Sequence, residues 1–311
     1  MMRAVLYIAL CLLCLWGCAG TPKEVPAVES AKAKHFLWKV SDANSSVWIL
    51  GSVHFADSTF YPLDAVIDTA FEKAEELAVE INLGDEEVNA DVARESIRRG
   101  MLPPGKSLDM VLPESLWTSL DSLCSAWNFP SAGLKTMRPW LAATTLSVVA
   151  IQRAGINPEY GIDVVLMDRA ATAGKAIVSL ETAEEQVGAL SDVDDSDSSG
   201  IYYLKTTLKE IASLDSMVAQ MVRAWKTGDD ELLRRVMNEE VGEPSASDKS
   251  IKEGVEKRIY TDRNVKMAES IANFLSEDRS VFIVVGAAHL VLDKQNVIEL
   301  LRSKGLKVER F

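Results

Sequence analysis

The sequence predicts an α/β fold: a central mixed, partly parallel sheet flanked by helices. Three observations point to this class. Short apolar runs typical of strands cluster near both ends of the folded region and recur twice between them. A strand, a helix and a second strand follow one another over residues 47–82, which favours a parallel pair. A strand that ends in Gly-x-x-His before a predicted helix occurs twice, so we expect two related halves with a helical insertion between them.

The predicted strands start with a hairpin. FLWKV and VWILG flank SDANSS, whose Asp, Asn and Ser residues are typical of turns. The helix over YPLDAVIDTAFEKAEEL then leads into LAVEIN, where apolar residues alternate with polar or small ones. The remaining predicted strands are AIVSLE, SVFIVVG and the last residues of the chain.

The middle of the chain is predicted to be mostly helical. Helices are expected over residues 112–127, 138–155, 161–174, 229–240 and 261–275. Residues 202–228 predict one long helix that ends at Gly228, and residues 243–250 predict a loop. Residues 35–311 should therefore form one α/β domain.

The first residues are typical of an export signal. Arg3 precedes an apolar run that is short for a membrane span, and Leu15-Trp16-Gly17-Cys18 resembles a bacterial lipobox. We expect a signal peptide over residues 1–17, a lipid on Cys18 and a flexible tether over residues 18–34. Ordinary signal cleavage near Ala19 is the alternative. A lipid on Cys18 would place the protein in the cell envelope, in the outer membrane facing the periplasm of a Gram-negative cell.

Cysteine content and charge narrow the function. Cys124 alone remains after Cys18 and the signal peptide are set aside, so no intramolecular disulfide is expected. The net charge is −13, and removing residues 1–17 with Arg3 leaves −14. Nucleic acid is a poor partner for such a chain, because Lys and Arg contacts to phosphate dominate that kind of binding. We therefore expect no nucleic acid partner.

Two of the three histidines occupy equivalent places. His54 follows Gly51, and His289 follows Gly286, each at the end of an apolar strand. The carboxyl ends of strands in an α/β sheet are where such proteins build their sites, and imidazole serves both as metal ligand and as general base. A single Gly-x-x-His is a weak signal, because a histidine after a glycine also occurs at ordinary helix starts. His35 is expected to be exposed at the end of the tether.

Glu80 is a third candidate, because a carboxylate between Val79 and Ile81 is costly to bury without a partner. It should lie at the end of a strand adjacent to that of His54. Two histidines and one carboxylate make a plausible three-ligand metal site. A salt bridge between Glu80 and an arginine is the structural alternative.

The chain resembles the TraB/GumN family, which is related to the TIKI metalloproteases and the erythromycin-esterase-like proteins. The resemblance covers nearly the whole body: VWILGSVHF, YPLDAVIDTAFEKAEELAVEINL, RPWLAATTL, YGIDVVLMDRA, GKAIVSLETAEEQ, AWKTGD, DRNVKMAESI and VVGAAHLV. It implies a metal-dependent hydrolase, a peptidase in the TIKI sense. Position by position it assigns His54, Glu80 and His289, together with Glu181 and the pair Arg263 and Asn264. Many relatives have HLxG at the second motif, where this chain has His289-Leu290-Val291-Leu292.

The resemblance suggests a mechanism as a hypothesis. A divalent cation (Mn, Co or Zn) held by His54, Glu80 and His289 would activate water for attack on a peptide or a small ester or amide. Glu181, or whichever carboxylate is not a ligand, would serve as general base and then as proton donor. The metal or Arg263 would stabilise the oxyanion. Arg263 could instead pair with a buried acid, and Asn264 could cap a helix.

Two alternatives stay open at this level. One is a metal-independent esterase-like enzyme in which one histidine is the base. The other is a non-catalytic envelope lipoprotein that binds haem or another ligand through the imidazoles. Glycine-rich phosphate loops, Gly-x-Ser-x-Gly elbows and His-Glu-x-x-His helices do not occur in the sequence, which argues against the enzyme classes that use them.

Overall fold

The computed structural model describes residues 34–54, 56–191, 197–239, 246–292 and 295–311. The expected signal peptide, Cys18 and the tether up to residue 33 lie outside these ranges. No helix in the described ranges combines the length and the apolar character that a membrane crossing requires.

Six strands form one mixed sheet, which confirms the predicted fold class. The strands are β1 (Leu37–Ser41), β2 (Ser46–Ser52), β3 (Glu76–Val79), β4 (Ala176–Ser179), β5 (Val281–Gly286) and β6 (Lys307–Arg310). Their order across the sheet is β4-β3-β5-β2-β1-β6. The four strands β4, β3, β5 and β2 are parallel to one another, whereas β1 is antiparallel to both β2 and β6. Each predicted strand corresponds to one of these six.

The predicted hairpin is β1 with β2. The Asp42 carboxylate accepts hydrogen bonds from the backbone N–H groups of Asn44 and Ser45, at 3.0 Å and 2.8 Å. This satisfies backbone donors that the tight turn leaves without strand partners.

Strand β5 lies between β2 and β3, and this corrects one expectation. The strand that leads to Glu80 is not adjacent to the strand that leads to His54; it is adjacent to β5, which leads to His289. The two Gly-x-x-His strands, β2 and β5, are direct neighbours, with Ser52 opposite Gly286. Both histidines therefore leave the sheet at the same edge.

Helices make up most of the rest of the described chain. They are α1 (Ala65–Lys73), α2 (Glu86–Gly100), α3 (Leu108–Val111), α4 (Glu114–Ala126), α5 (Pro139–Arg153), α6 (Ile162–Thr172), α7 (Ala183–Leu190), α8 (Ser198–Glu210), α9 (Leu214–Thr227), α10 (Asp230–Asn238), α11 (Ala246–Glu256), α12 (Asp262–Ser276), α13 (Ala287–Val291) and α14 (Val297–Ser303).

Two helix predictions are wrong in part. The single long helix expected over residues 202–228 is two helices, α8 and α9, separated by a 3-10 turn at Ile211–Ser213. The loop expected over residues 243–250 is helical from Ala246, where α11 begins. Lys252 and Val255 on this helix are buried, which favours a packed helix over a solvated loop. Tertiary burial outweighs local polarity there.

Strand β5 lies in the core, and all six of its residues are buried. At Gly51 of β2, a Cβ would lie 3.0 Å from both the Cα and the Cβ of Ala287. The glycine of the first Gly-x-x-His motif thus allows α13, which carries the second histidine, to pack directly on β2. The indole of Trp225 donates a 2.7 Å hydrogen bond to the Gly51 carbonyl and ties α9 to the same point.

Candidate active site

The sequence-predicted residues lie along the carboxyl edge of the parallel strands. His54 follows β2, Glu80 follows β3, and Glu181 follows β4, whereas His289 lies within α13, directly after β5. The set is completed from outside the sheet by the first turn of α12, which carries Arg263 and Asn264. The two histidine units therefore differ: helix α13 begins before His289, whereas the first helical turn described after His54 is a 3-10 turn at Ser58–Phe60.

Arg263 is the buried centre of this group. Its Nε and Nη2 atoms donate to the two oxygens of Glu181 at 2.7 Å and 2.6 Å, a bidentate pair. Nη2 also donates to Glu80 Oε2 at 2.6 Å. The structure therefore shows the salt bridge that was the alternative for Glu80. It also shows Arg263 paired with a buried acid, which was the alternative for Arg263. Such pairs are strong because the low dielectric of the interior strengthens charge-assisted hydrogen bonds.

A π-helical turn at Lys257–Thr261 directly precedes α12. It points the Ile259 carbonyl toward Arg263, whose Nη1 donates to it at 3.3 Å. π-Turns inside helices are frequent at functional sites because they redirect backbone groups and side chains. Here the turn helps to set the direction from which the guanidinium enters the sheet edge.

The surroundings shift the pKa values of Glu80 and Glu181 in opposite directions. Burial alone would raise the pKa of Glu80, but the Arg263 charge, with the Gly286 N–H donor at 2.6 Å, lowers it to about 2. Burial raises the pKa of Glu181 above its ordinary value despite the contact with Arg263, and the Glu80 charge adds to that rise. Glu80 is therefore the firmly ionised member of the pair, and Glu181 is the acid that a proton reaches first.

His289 is a neutral imidazole in a defined tautomer. The Asn264 amide donates through Nδ2 to the Gln295 carbonyl at 3.0 Å, so its Oδ1, 2.6 Å from His289 Nδ1, must accept. His289 Nε2 then carries the lone pair and faces Arg263 Nη1 at 3.3 Å. Burial first, and the Arg263 charge second, lower the pKa of His289 to about 3. Asn264 positions this histidine and is not the helix cap that the sequence left open.

His54 has different surroundings. Its Nδ1 lies 2.8 Å from Asp163 Oδ2. Burial by itself would lower the pKa of His54, but the charge and hydrogen bond of Asp163 outweigh it, so the pKa is raised. Its Nε2 atom is buried and has no hydrogen-bond partner among the described residues. An imidazole held by a carboxylate at one nitrogen and unpaired at the other can act as a general base or as a metal ligand.

Asp163 was missed by sequence reasoning. It lies in the first turn of α6, where an acid is ordinarily explained by the helix dipole. It is also 109 residues from His54, so sequence spacing gave no hint of the pair. The available signal was its place in the segment YGIDVVLMDRA.

Gly161 allows the close approach of His54 and Asp163. A Cβ at this position would lie 2.7 Å from the His54 carbonyl oxygen and 3.1 Å from Asp163 Oδ1. The backbone before α6 therefore reaches the His54 segment only because residue 161 has no side chain. The Ile162 N–H donates to the Val53 carbonyl at 3.2 Å and fixes this approach.

His54 also lines an apolar cavity. The other lining residues are Ser52, Val53, Ile151, Ile156, Val218, Met221, Val222, Leu233, Met237, Ala287 and Ala288. The cavity thus joins the carboxyl edge of β2 to the helices α5, α9, α10 and α13. His35, which was expected to be exposed, is half-buried elsewhere, with Nε2 3.5 Å from Asp64 Oδ2.

The predicted three-ligand metal set does not fit as arranged. Glu80 Oε1 is 3.9 Å from His289 Nε2, but both Glu80 oxygens already accept hydrogen bonds. The Arg263 guanidinium faces both residues, and a second cation there would be repelled. Within the described residues, no group of three or more His, Cys, Asp or Glu side chains could hold a metal ion. The metal site stays a prediction that requires Arg263 to move.

The fold and the site together define an α/β protein with a carboxylate-oriented histidine at the edge of its parallel strands. A family model for the TraB/PrgY/gumN family matches residues 36–310. The chain therefore belongs to this family, and the resemblance drawn from its motifs is confirmed.

Named relatives agree with this assignment. The uncharacterized protein YbaP of Escherichia coli (strain K12) is 25% identical over 198 residues, which are 62% of this chain and 70% of that protein. YbaP of Shigella flexneri matches to the same extent. No solved structure matches the chain.

Proposed function

We propose that this protein is a hydrolase of ester or amide bonds in which His54 is the general base. One observation carries the proposal: the Nε2 atom of His54 is buried without a partner among the described residues, while Asp163 holds Nδ1. His54 lines the apolar cavity, where a substrate would displace water. An unpartnered buried nitrogen is costly, so its retention in such a place favours a role in binding or catalysis.

The chemistry follows from the tautomer. Asp163 accepts from Nδ1–H, so the neutral imidazole has its lone pair at Nε2 and takes a proton from the attacking water. The new oxygen–carbon bond forms at the substrate carbonyl, and the bond to the leaving oxygen or nitrogen breaks. The proton then passes from His54 to the leaving group. Asp163 stabilises the imidazolium between these two steps.

The second group has a positioning role in this scheme. Every nitrogen of the Arg263 guanidinium already contacts Glu80, Glu181, His289 or the Ile259 carbonyl. We infer that this cluster fixes the sheet edge behind the reaction centre. In this scheme Arg263 positions the other side chains, and its expected role in stabilising the oxyanion stays a prediction of the metal-dependent version.

The test compares ester and amide turnover of the folded body, residues 19–311, with that of His54→Ala and Asp163→Asn. We expect His54→Ala to lose about 10²–10⁴-fold in kcat/KM, the usual contribution of a general base. Asp163→Asn should lose a comparable factor and shift the acidic limb of the pH profile, because it removes the group that raises the pKa of His54. His35→Ala, which alters a histidine outside the cavity, is the matched control. Unchanged turnover in His54→Ala would refute the proposal.

A metal-dependent version is the second candidate. Glu80 and Glu181 share the single guanidinium of Arg263, and Asp163 contacts His54. The site therefore contains more carboxylates than guanidinium groups, which favours a divalent cation such as Mn, Co or Zn. His54, Glu80 and His289 would hold it after Arg263 has turned away, and the ion would supply an acidified water. Metal analysis of the purified body, with turnover before and after exhaustive chelation, separates the two versions. Activity that is lost on chelation and restored by one cation would replace the metal-free scheme.

We also propose that the protein acts in the cell envelope, anchored by a lipid on Cys18 to the outer membrane and facing the periplasm. The lipobox-like residues 15–18 support this location. The substrate would be a peptide or a small ester or amide. Labelling with a palmitate analogue should mark the wild type and not Cys18→Ser. The haem alternative is less favoured, because His289 Nε2 already faces Arg263.

A further inference from the structure

The cavity beside His54 is apolar along most of its wall. Ile151, Leu233 and Met237 are fully buried and form its inner part. Val218 and Val222, one turn apart on α9, are half-buried and form its outer part. Apolar walls with a buried inner part and a partly open rim are typical of sites for small apolar groups.

The polar groups of this cavity come from a single strand end. Ser52 and His54 are two residues apart, and both line the cavity. The Ser52 hydroxyl and the His54 Nε2 atom are each buried, and neither has a hydrogen-bond partner among the described residues. Two unpaired polar atoms at one place on an otherwise apolar wall indicate that a ligand brings its own polar group to this point.

Resting on the proposed function, we propose that the substrate is an ester or amide of an aliphatic acyl chain. The chain fills the cavity, and the scissile carbonyl lies at Ser52 and His54. The Ser52 hydroxyl donates to the carbonyl oxygen, and His54 takes the proton of the attacking water. The free fatty acid and the alcohol or amine are the products.

The lining favours an aliphatic chain over a charged one. Among the described residues that line the cavity, His54 is the only one with an ionisable side chain, so a charged group would be buried without a counterion. Met221 and Met237 stand on α9 and α10, and methionine side chains adapt to flexible apolar chains. Each methylene that enters the cavity should therefore raise kcat/KM by about fourfold, the factor expected for a buried CH2 group.

The experiment measures kcat/KM for the acetate, butyrate, hexanoate and octanoate esters of p-nitrophenol. The wild type is compared with Val218→Phe, which narrows the outer part of the cavity. Ile97→Phe, which introduces the same aromatic side chain at an exposed position on α2 outside the cavity, is the control. Val222→Phe is a second variant in case Val218→Phe does not fold, which circular dichroism will show. Binding of octanamide to the same proteins, measured by calorimetry, supplies a readout that needs no turnover.

The outcomes separate this inference from the proposed function. We expect kcat/KM to rise with chain length in the wild type and in Ile97→Phe, and to fall for the longer esters in Val218→Phe. Equal turnover of all four esters, or no change in Val218→Phe, would overturn the acyl-chain inference and leave the hydrolase intact. Octanamide binding that Val218→Phe abolishes, without turnover of any ester, would keep the apolar site and refute the hydrolase. Neither binding nor turnover would overturn both.

Discussion

His54 and His289 each stand three residues after a glycine at the end of a parallel strand, yet the structure gives them opposite partners. His54 contacts an acid, Asp163, and keeps Nε2 unpaired beside the cavity. His289 is held by the Asn264 amide and faces the Arg263 guanidinium. The pKa of His54 is raised, and that of His289 is lowered to about 3. A shared motif fixes where an imidazole is placed, and its neighbours decide whether it can exchange a proton.

The strongest test of this contrast removes the guanidinium. Arg263→Met leaves Glu80 and Glu181 buried without their counterion, so the free energy of unfolding should fall by about 3–5 kcal/mol. Urea denaturation measures this loss. Arg279→Met, which breaks the partly exposed pair with Glu76, is the control and should cost less than about 1 kcal/mol. Equal losses in the two variants would mean that the Arg263 cluster does not organise the site.

A smaller effect distinguishes the histidines by the sign of their pH dependence. As the pH falls below 6.5, the unfolded chain protonates His289 and the folded chain does not, so stability falls. As the pH rises above 6.5, the folded chain retains a proton on His54 that the unfolded chain releases, so stability falls again. Each histidine can contribute up to about 1.4 kcal/mol for each pH unit.

Two variants isolate these slopes in urea denaturation at a series of pH values. His289→Gln should reduce the loss of stability at acidic pH. This change is best measured above pH 4.5, where the titration of Glu80 no longer contributes to the pH dependence. His54→Gln should reduce the loss of stability as the pH rises above 6.5. His35→Gln serves as the reference for a half-buried histidine. If both variants altered the same side, the assignment of opposite roles would be wrong.

The smallest effect concerns the amide that orients His289. Asn264→Ala removes the hydrogen bonds to His289 and to the Gln295 carbonyl and should cost about 1–2 kcal/mol. Nitrogen NMR of labelled histidine should show the His289 ring losing its single tautomer, while the His54 ring is unchanged. Asn273→Ala, at an exposed position of the same helix, is the control. A tautomer change at His54 instead would break the comparison.

Local patterns predicted much of the fold. Strands β1 to β5 contain short apolar segments, and the glycines before His54 and His289 mark where β2 and β5 leave the sheet. The position of β5 between β2 and β3 could not be predicted, because it depends on pairing over more than 200 residues. The start of helix α11 was missed because local polarity favours a loop, whereas the burial of Lys252 and Val255 arises only in the folded chain.

Most residues of the candidate site were predicted from the sequence, but their hydrogen-bond and ion-pair partners were not. Glu80 was chosen because a buried carboxylate needs a partner, and the same argument allowed either a metal or an arginine. The structure gives the arginine. Asp163 could not be found from spacing, since its role depends on Gly161 bringing α6 against the segment after β2. Chemical need is visible in a sequence, whereas the identity of the partner is a property of the assembled fold.

The central place of β5 has a consequence for biosynthesis. A ribosome completes β2 and β3 long before it reaches residue 281, and until then the two strands lack the neighbour that they share. The nascent protein can form the Asp163 contact early, but the edge that bears His289 closes only when the last tenth of the polypeptide has emerged. The edge of the sheet that bears both histidines is therefore completed in one late event of synthesis.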